Sequence, residues 1–254
     1  MASENRALAG PLGECCTKFV QHTGEAKGVV EELAGAKMYV SYPPTKADKY
    51  ERIIFYWPDV FGPFFINSQL IMDYFASKGY LVVAVDLFFG EPIQVRRTKP
   101  NFEIWSWIKP IRERADPLVP VWVDAVKERY GLPTTKYATV GYCFGGRDVM
   151  TLAATEWLTV AAFGHPSMID ESHFKALKSP LLMACAEIDE TFSRESRHRA
   201  EEILVENKAD YHIQVFSKVA HGFALRGNMD VPLERWAKEQ SASSIIEWFD
   251  RFCK

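Results

Sequence analysis

Residues 138–146 read A-T-V-G-Y-C-F-G-G, an apolar strand that runs into Gly141-Tyr142-Cys143-Phe144-Gly145 and then into a helix. G-x-C-x-G at a strand-to-helix turn is the nucleophile-elbow pattern with cysteine in the place of serine. The turn demands small flanking residues, because the nucleophile takes a strained backbone conformation and its neighbours pack closely on strand and helix. At a helix N-terminus a thiolate, and any oxyanion formed beside it, are both stabilised. The backbone N–H of Phe144 is the natural oxyanion donor. The same glycines do not form a dinucleotide fingerprint, since G-x-x-x-G-G has the wrong spacing, and no G-x-x-x-x-G-K-[ST] loop occurs, so no nucleotide cofactor is expected.

Outward from this turn the chain alternates between two periods. Short apolar runs at 37–42, 52–57, 80–85, 136–142, 160–163, 180–186 and 211–217 are expected strands. Helical spacing is expected over 67–78, 117–130, 144–156, 171–177, 194–207 and 233–252, the last with Trp236, Ile245, Trp248, Phe249 and Phe252 on or near its inner face. Such alternation predicts an α/β class of fold, a mostly parallel central sheet with helices on both faces, in one domain over residues 1–254. A polar arm is expected up to about Gly13. Residues 87–116, rich in Phe, Trp, Pro and Arg, fit neither period and are expected to form a cap or pocket wall at the carboxyl edge of the sheet.

Composition narrows the function classes. With 254 residues, 30 basic and 33 acidic side chains and no block of like charge, the chain has no electrostatic footprint for nucleic acid or an anionic membrane. No apolar stretch approaches the roughly eighteen residues of a span, and Glu4, Arg6, Glu14 and Lys18 interrupt the place of a signal peptide. Five cysteines, Cys15, Cys16, Cys143, Cys185 and Cys253, are spaced like neither a disulfide framework nor a zinc site, which predicts a reducing, cytoplasmic setting and no metal.

Chain order adds partners to Cys143. Triads of elbow-bearing α/β folds run nucleophile, acid, histidine. Downstream stand Asp189, just past P-L-L-M-A-C-A, and His221, just past Y-H-I-Q-V-F-S, each at the carboxyl end of an expected strand and so on the elbow's edge of the sheet. Glu187 and Glu190 are weaker acid candidates, His165 in G-H-P-S is a further candidate for the site, and Cys185 lies inside its strand as a core residue.

The elbow G-Y-C-F-G-G, the aspartate in A-E-I-D, the histidine in A-H-G-F and the segment W-P-D-V-F-G together resemble the dienelactone hydrolase family of α/β-hydrolases, and the N-terminal C-C and the G-H-P-S segment resemble its fungal members. The resemblance runs from about Cys16 to the final helix. It implies Cys143 as nucleophile, His221 as base, Asp189 as orienting acid, and a second oxyanion N–H from Val60. Two positions depart from the bacterial pattern. Asp59 stands where those enzymes carry a glutamate that gates the thiol, and Gly90 stands in place of a carboxylate-binding arginine; Arg226 is similar to the second such arginine, shifted by one.

Phe64, Phe65, Phe88, Phe89, Trp105, Trp107 and Phe223 fall in loops of the expected active edge, where aromatic side chains would hold an aromatic or polyketide-like ring or else fill the core under a cap. Asp59, Phe88, Trp105, Phe223 and Arg226 are the expected substrate contacts. The expected activity is hydrolysis of a small-molecule ester or lactone through a thioester, by a monomer or homodimer. A lactone isomerase or C–C bond-cleaving enzyme using the same site, and an idle binding module, are the alternatives.

Overall fold

In the computed structural model, which describes residues 5–254, the chain forms an eight-stranded sheet between two helical layers. Glu4 and the rest of the first four residues of the expected arm lie outside the described residues. After β1 (Ala7–Ala9) and a 3₁₀ turn at Glu14–Thr17 come β2 (Val29–Leu33), β3 (Ala36–Ser41) and β4 (Tyr50–Trp57). The chain continues through α1 (Ile66–Ser77), β5 (Leu81–Val85), α2 (Ile93–Arg96) and α3 (Ile104–Tyr130) to β6 (Gly131–Cys143) and α4 (Gly146–Ala153). Then follow β7 (Val160–Pro166), β8 (Ile169–Asp170), α5 (Glu171–Lys175), β9 (Leu181–Ile188) and α6 (Arg194–Glu206). β10 (Tyr211–Ala220), α7 (Phe223–Arg226) and α8 (Pro232–Phe252) complete the chain.

Strand order is β10-β9-β7-β6-β4-β5-β3-β2, parallel except at one edge, where β2–β3 and β3–β5 pair antiparallel. That edge hairpin is absent from the sequence reading. Val29 and Val30 on β2 are exposed and Glu31 and Glu32 interrupt the apolar pattern, whereas Ala34 and Gly35, both at positive φ, make the turn. The parallel strands are buried on both sides. Ile53, Phe55 and Trp57 of β4 face the layer of α3, α4 and α6, and Ile54 and Tyr56 face α1 and α8.

Three expectations are corrected. Residues 104–116 belong to α3, whose buried stripe Trp107, Ile108, Ile111, Ala115, Val119, Trp122 and Val126 keeps helical spacing through Pro110, Pro117 and Pro120. All three prolines lie on the exposed face, so the strain falls where the chain can bend without disturbing the core. Trp236 is 54% exposed rather than on the inner face of α8, its ring 5.6 Å from Phe216. The described part of the N-terminal arm is a packed strap: β1 pairs antiparallel with β8, and Leu8, Ala9, Leu12 and Cys16 are buried.

Candidate active site

The order of strands reverses at β4 and β6, so the loops leaving their carboxyl ends diverge and open a crevice between them. Trp57 at the end of β4 lies in register with Gly141 of β6, which places Val60 and Cys143 on either side of that crevice. The turn after β6 is tight. Cys143 has φ +50°, a left-handed conformation that a side chain adopts only where its surroundings enforce it. A Cβ on Gly141 would stand 2.5 Å from the Gly145 carbonyl oxygen, and one on Gly145 would collide with the carbonyl of Trp57, so neither glycine tolerates a side chain. Among the described residues the amides of Val60 and Phe144 donate no hydrogen bond.

Asp189 and His221 meet at the ends of β9 and β10. Nδ1 of His221 lies 3.0 Å from each Asp189 carboxylate oxygen and 2.7 Å from Thr191 Oγ1. Asp189 Oδ1 also accepts from the Thr191 hydroxyl at 2.5 Å, the Thr191 amide at 2.9 Å and the Phe192 amide at 3.0 Å, which locks the carboxylate. A carboxylate on Nδ1 holds the proton there and leaves Nε2 as the nitrogen that faces the site. Burial opposes charging of His221, but the Asp189 carboxylate and the Cys16 thiol override it and push the imidazole up to about 10.

Cys143 and His221 do not touch directly. Between them stands Cys16, whose Sγ is 3.4 Å from Cys143 Sγ and 3.6 Å from His221 Nε2. Cys15 Sγ lies a further 3.9 Å from Cys16 Sγ. Hydrogen bonding with Cys143, outweighing that with Cys15, and then burial raise the Cys16 pKa. Cys143 and Cys16 are fully buried, while His221 lines a cavity of about 440 Å³ with Cys15, Phe19, Glu190, Phe223 and Arg226.

Asp59 and Arg226 are buried and paired with each other, and Arg226 Nε donates to the Lys18 carbonyl at 2.9 Å. Phe88 packs 5.1 Å from the Phe144 ring and stacks on Trp107 at 5.9 Å. Phe223 lies 5.8 Å from His165, at the cavity that His221 lines. Trp105, in the first turn of α3, is exposed.

Three contributors, Cys16, Thr191 and Arg112, escape a reading of the sequence, and a fourth, His165, is the further candidate that the sequence offers. Cys16 arrives on the strap, and only its pairing with Cys15 marks it. Thr191 follows Asp189 by two residues, a spacing that fits an Asx turn. His165, at φ +36° and fully buried, sets its ring 4.9 Å from that of His221; burial, then the neighbouring positive charges of His221 and Arg226, hold it neutral. Arg112 forms a buried pair with Asp148 at 2.8 and 2.9 Å, donates to the Phe144 carbonyl at 3.2 Å and covers the Phe144 ring at 4.0 Å, so it fixes the residue that follows the nucleophile.

A crossover sheet with a strained cysteine at its central strand-to-helix turn, and a histidine–aspartate contact on the same edge, defines an α/β-hydrolase fold. Residues 38–253 match the Dienelactone hydrolase family, and the chain belongs to it and is a hydrolase. It is 37% identical over 245 residues to Hydrolase pyvD of Aspergillus violaceofuscus, covering 96% of this chain and 98% of that protein. It is 36% identical to Dienlactone hydrolase 1 of Gibberella moniliformis, covering 96% and 95% respectively. The crystal structure of a putative dienelactone hydrolase from Klebsiella pneumoniae superposes with a TM-score of 0.71 at 18% identity, over 90% of this chain and 99% of that one, and shows the shared fold. No helix among the described residues is long and apolar enough to cross a membrane.

Proposed function

We propose that the protein hydrolyses a small-molecule ester or lactone through a thioester on Cys143. The observation that carries this reading is the unbroken chain of side chains from Cys143, just before the N-terminus of α4, through Cys16 to His221 and Asp189. His221 Nε2 takes the Cys16 proton as Cys16 takes that of Cys143, and Asp189 holds the resulting imidazolium. The Cys143 thiolate attacks the carbonyl carbon. Charge on the tetrahedral oxygen is received by the N–H groups of Val60 and Phe144, each worth roughly 3–4 kcal/mol in measured cases of this kind. Collapse expels the alkoxide, which takes its proton from His221. A water deprotonated by His221 then cleaves the thioester and restores the thiol.

The surroundings favour a neutral substrate. Asp59 neutralises Arg226, so a substrate carboxylate would have to break a buried ion pair to reach the guanidinium. Phe88 beside Phe144 and Phe223 beside His221 suit a flat apolar acyl or lactone ring. An amine leaves the tetrahedral intermediate in preference to the thiolate only once its nitrogen is protonated, whereas an alkoxide or enolate leaves more readily, so esters and enol lactones are the substrate class; the relatives named dienlactone hydrolase support it.

The test is intact-protein mass spectrometry after brief exposure to p-nitrophenyl acetate, with peptide mapping, on the wild type and Cys143→Ala. A transient acyl adduct on Cys143 that builds with nitrophenolate release and then decays is expected. Turnover that survives in Cys143→Ala rules out the thioester.

A further inference from the structure

Cys15, Cys16 and His221 place two sulfurs and one imidazole nitrogen within 4.8 Å of one another. Two of the three separations match the edges of a metal tetrahedron, and the third, between Cys15 and His221, lies within 4.8 Å. With metal–sulfur bonds of about 2.3 Å and metal–nitrogen bonds of about 2.0–2.1 Å, sulfurs stand ~3.8 Å apart and sulfur and nitrogen ~3.6 Å apart. Here Cys15 and Cys16 sulfurs are 3.9 Å apart, and Cys16 sulfur lies 3.6 Å from His221 Nε2. Nδ1 of the same imidazole is held by Asp189, the carboxylate–histidine arrangement that orients and strengthens a metal-ligating ring. Cys15 and His221 both line the cavity of about 440 Å³, which is the route by which an ion and a water would arrive, and Glu190 adds an acidic side chain to its wall.

We propose that these three residues form a binding site for a thiophilic divalent cation of the Zn²⁺ type, and that occupying it switches the hydrolase off. Two thiolates and an imidazole select a borderline-soft metal over Mg²⁺ or Ca²⁺, which require oxygen donors. Binding forms two metal–sulfur bonds and one metal–nitrogen bond, releases to solvent the two thiol protons and the Nε2 proton of the charged imidazole, and leaves the fourth position to water. No oxidation change is involved. The switch follows from which atoms are used: the metal takes Nε2 of His221 and the sulfur of Cys16, so the Cys143 proton has no acceptor. Binding itself is independent of the hydrolytic reading, whereas the inhibition rests on it.

The experiment uses full-length protein, reduced and stripped with a chelator, titrated anaerobically with Co²⁺ and back-titrated with Zn²⁺. A thiolate-to-cobalt charge-transfer band that saturates at one Co²⁺ per chain and disappears on adding Zn²⁺ is expected. Cys15→Ser, at a half-buried position, should lower the band per bound cobalt to about half, as one of two thiolates is lost. It should also weaken binding by more than the ~10–100-fold that losing an outer-shell partner costs. Cys16→Ser should behave alike, and Cys143→Ala should leave the band unchanged; thermal melts check that each variant is folded. Absence of the band, a band indifferent to Cys15→Ser and Cys16→Ser, or a band lost with Cys143→Ala each overturn the site. In the second arm, Zn²⁺ should inhibit p-nitrophenyl acetate turnover by the wild type and lose its hold on Cys15→Ser, measured against each protein's own activity. Cobalt binding without esterase activity would retain the site and sink the hydrolytic reading; binding with zinc-insensitive turnover would sink the switch alone.

Discussion

The thiol of Cys16 lies 3.4 Å from that of Cys143, although 127 residues separate them in the chain. A segment outside the parallel sheet thus supplies the group that connects the elbow cysteine to His221. The 3₁₀ turn that carries Cys16 is held by the strap, whose Gly10 amide donates to the Thr191 carbonyl at 2.6 Å and whose Gly10 carbonyl accepts from Met168 at 2.9 Å. The strap is therefore tied to the loops that bear Asp189 and Ser167.

If Cys16 passes the proton, its removal should affect turnover more than binding. Cys16→Ala is expected to lower kcat for p-nitrophenyl acetate by about 10²-fold, the lower end of what a positioned proton-transfer group supplies, with little change in KM. Cys16→Ser, whose hydroxyl retains a transferable proton, should recover part of that loss. Equal kcat in wild type and Cys16→Ala would show that Cys143 reaches His221 without it.

The contact of Asp189 with His221 predicts a large effect from a small change. Asp189→Asn keeps the shape but offers an amide donor to Nδ1, which favours the wrong tautomer; a loss of about 10⁴ in kcat is expected. Burst kinetics would show whether acylation is the step that fails. An activity within tenfold of wild type, roughly 1.4 kcal/mol in barrier, would remove Asp189 from the mechanism.

His221 also links stability to pH. Its folded value of about 10 lies above the roughly 6.5 of an unfolded histidine, so the folded state binds the proton more tightly. The resulting stability is fully present below about pH 6.5 and is lost as pH rises through about 10. Urea unfolding of the wild type should weaken across that window, and His221→Gln should lack this part of the decline. Because the base works only when neutral, kcat/KM should rise with pH over the same range and the rise should move to lower pH in Asp189→Asn.

Arg226 and Asp59 form a pair with side chains only 2% and 1% exposed. Arg226→Met leaves the Asp59 charge buried without its partner, and a loss of about 3–5 kcal/mol is expected in chemical denaturation. Adding Asp59→Asn should restore most of it, since the amide oxygen still accepts from the Phe61 amide, now 3.0 Å from Asp59 Oδ1. Additive losses would mean that the two side chains do not depend on each other.

Much of the fold is legible in the sequence because its signals are local. Apolar runs such as 52–57 and 80–85 must be buried on both faces, helical spacing sets α1, α6 and α8, and small residues around Cys143 require the elbow turn. Chain order then places Asp189 and His221 at the same sheet edge as Cys143, because parallel strands share their carboxyl ends. What sequence leaves open is set by packing between distant segments. Periodicity breaks at Pro110, Pro117 and Pro120, yet the buried stripe of α3 overrides them. The arm reads as polar, yet β1 finds its partner at β8 and brings Cys15 and Cys16 to His221. Asp59 and Arg226 neutralise each other across 167 residues, a distance in the chain over which spacing carries no information about contact. Local pattern determines which elements form and which edge bears the chemistry, whereas the separations of a few ångströms that decide which groups exchange protons depend on how the finished layers and the strap pack.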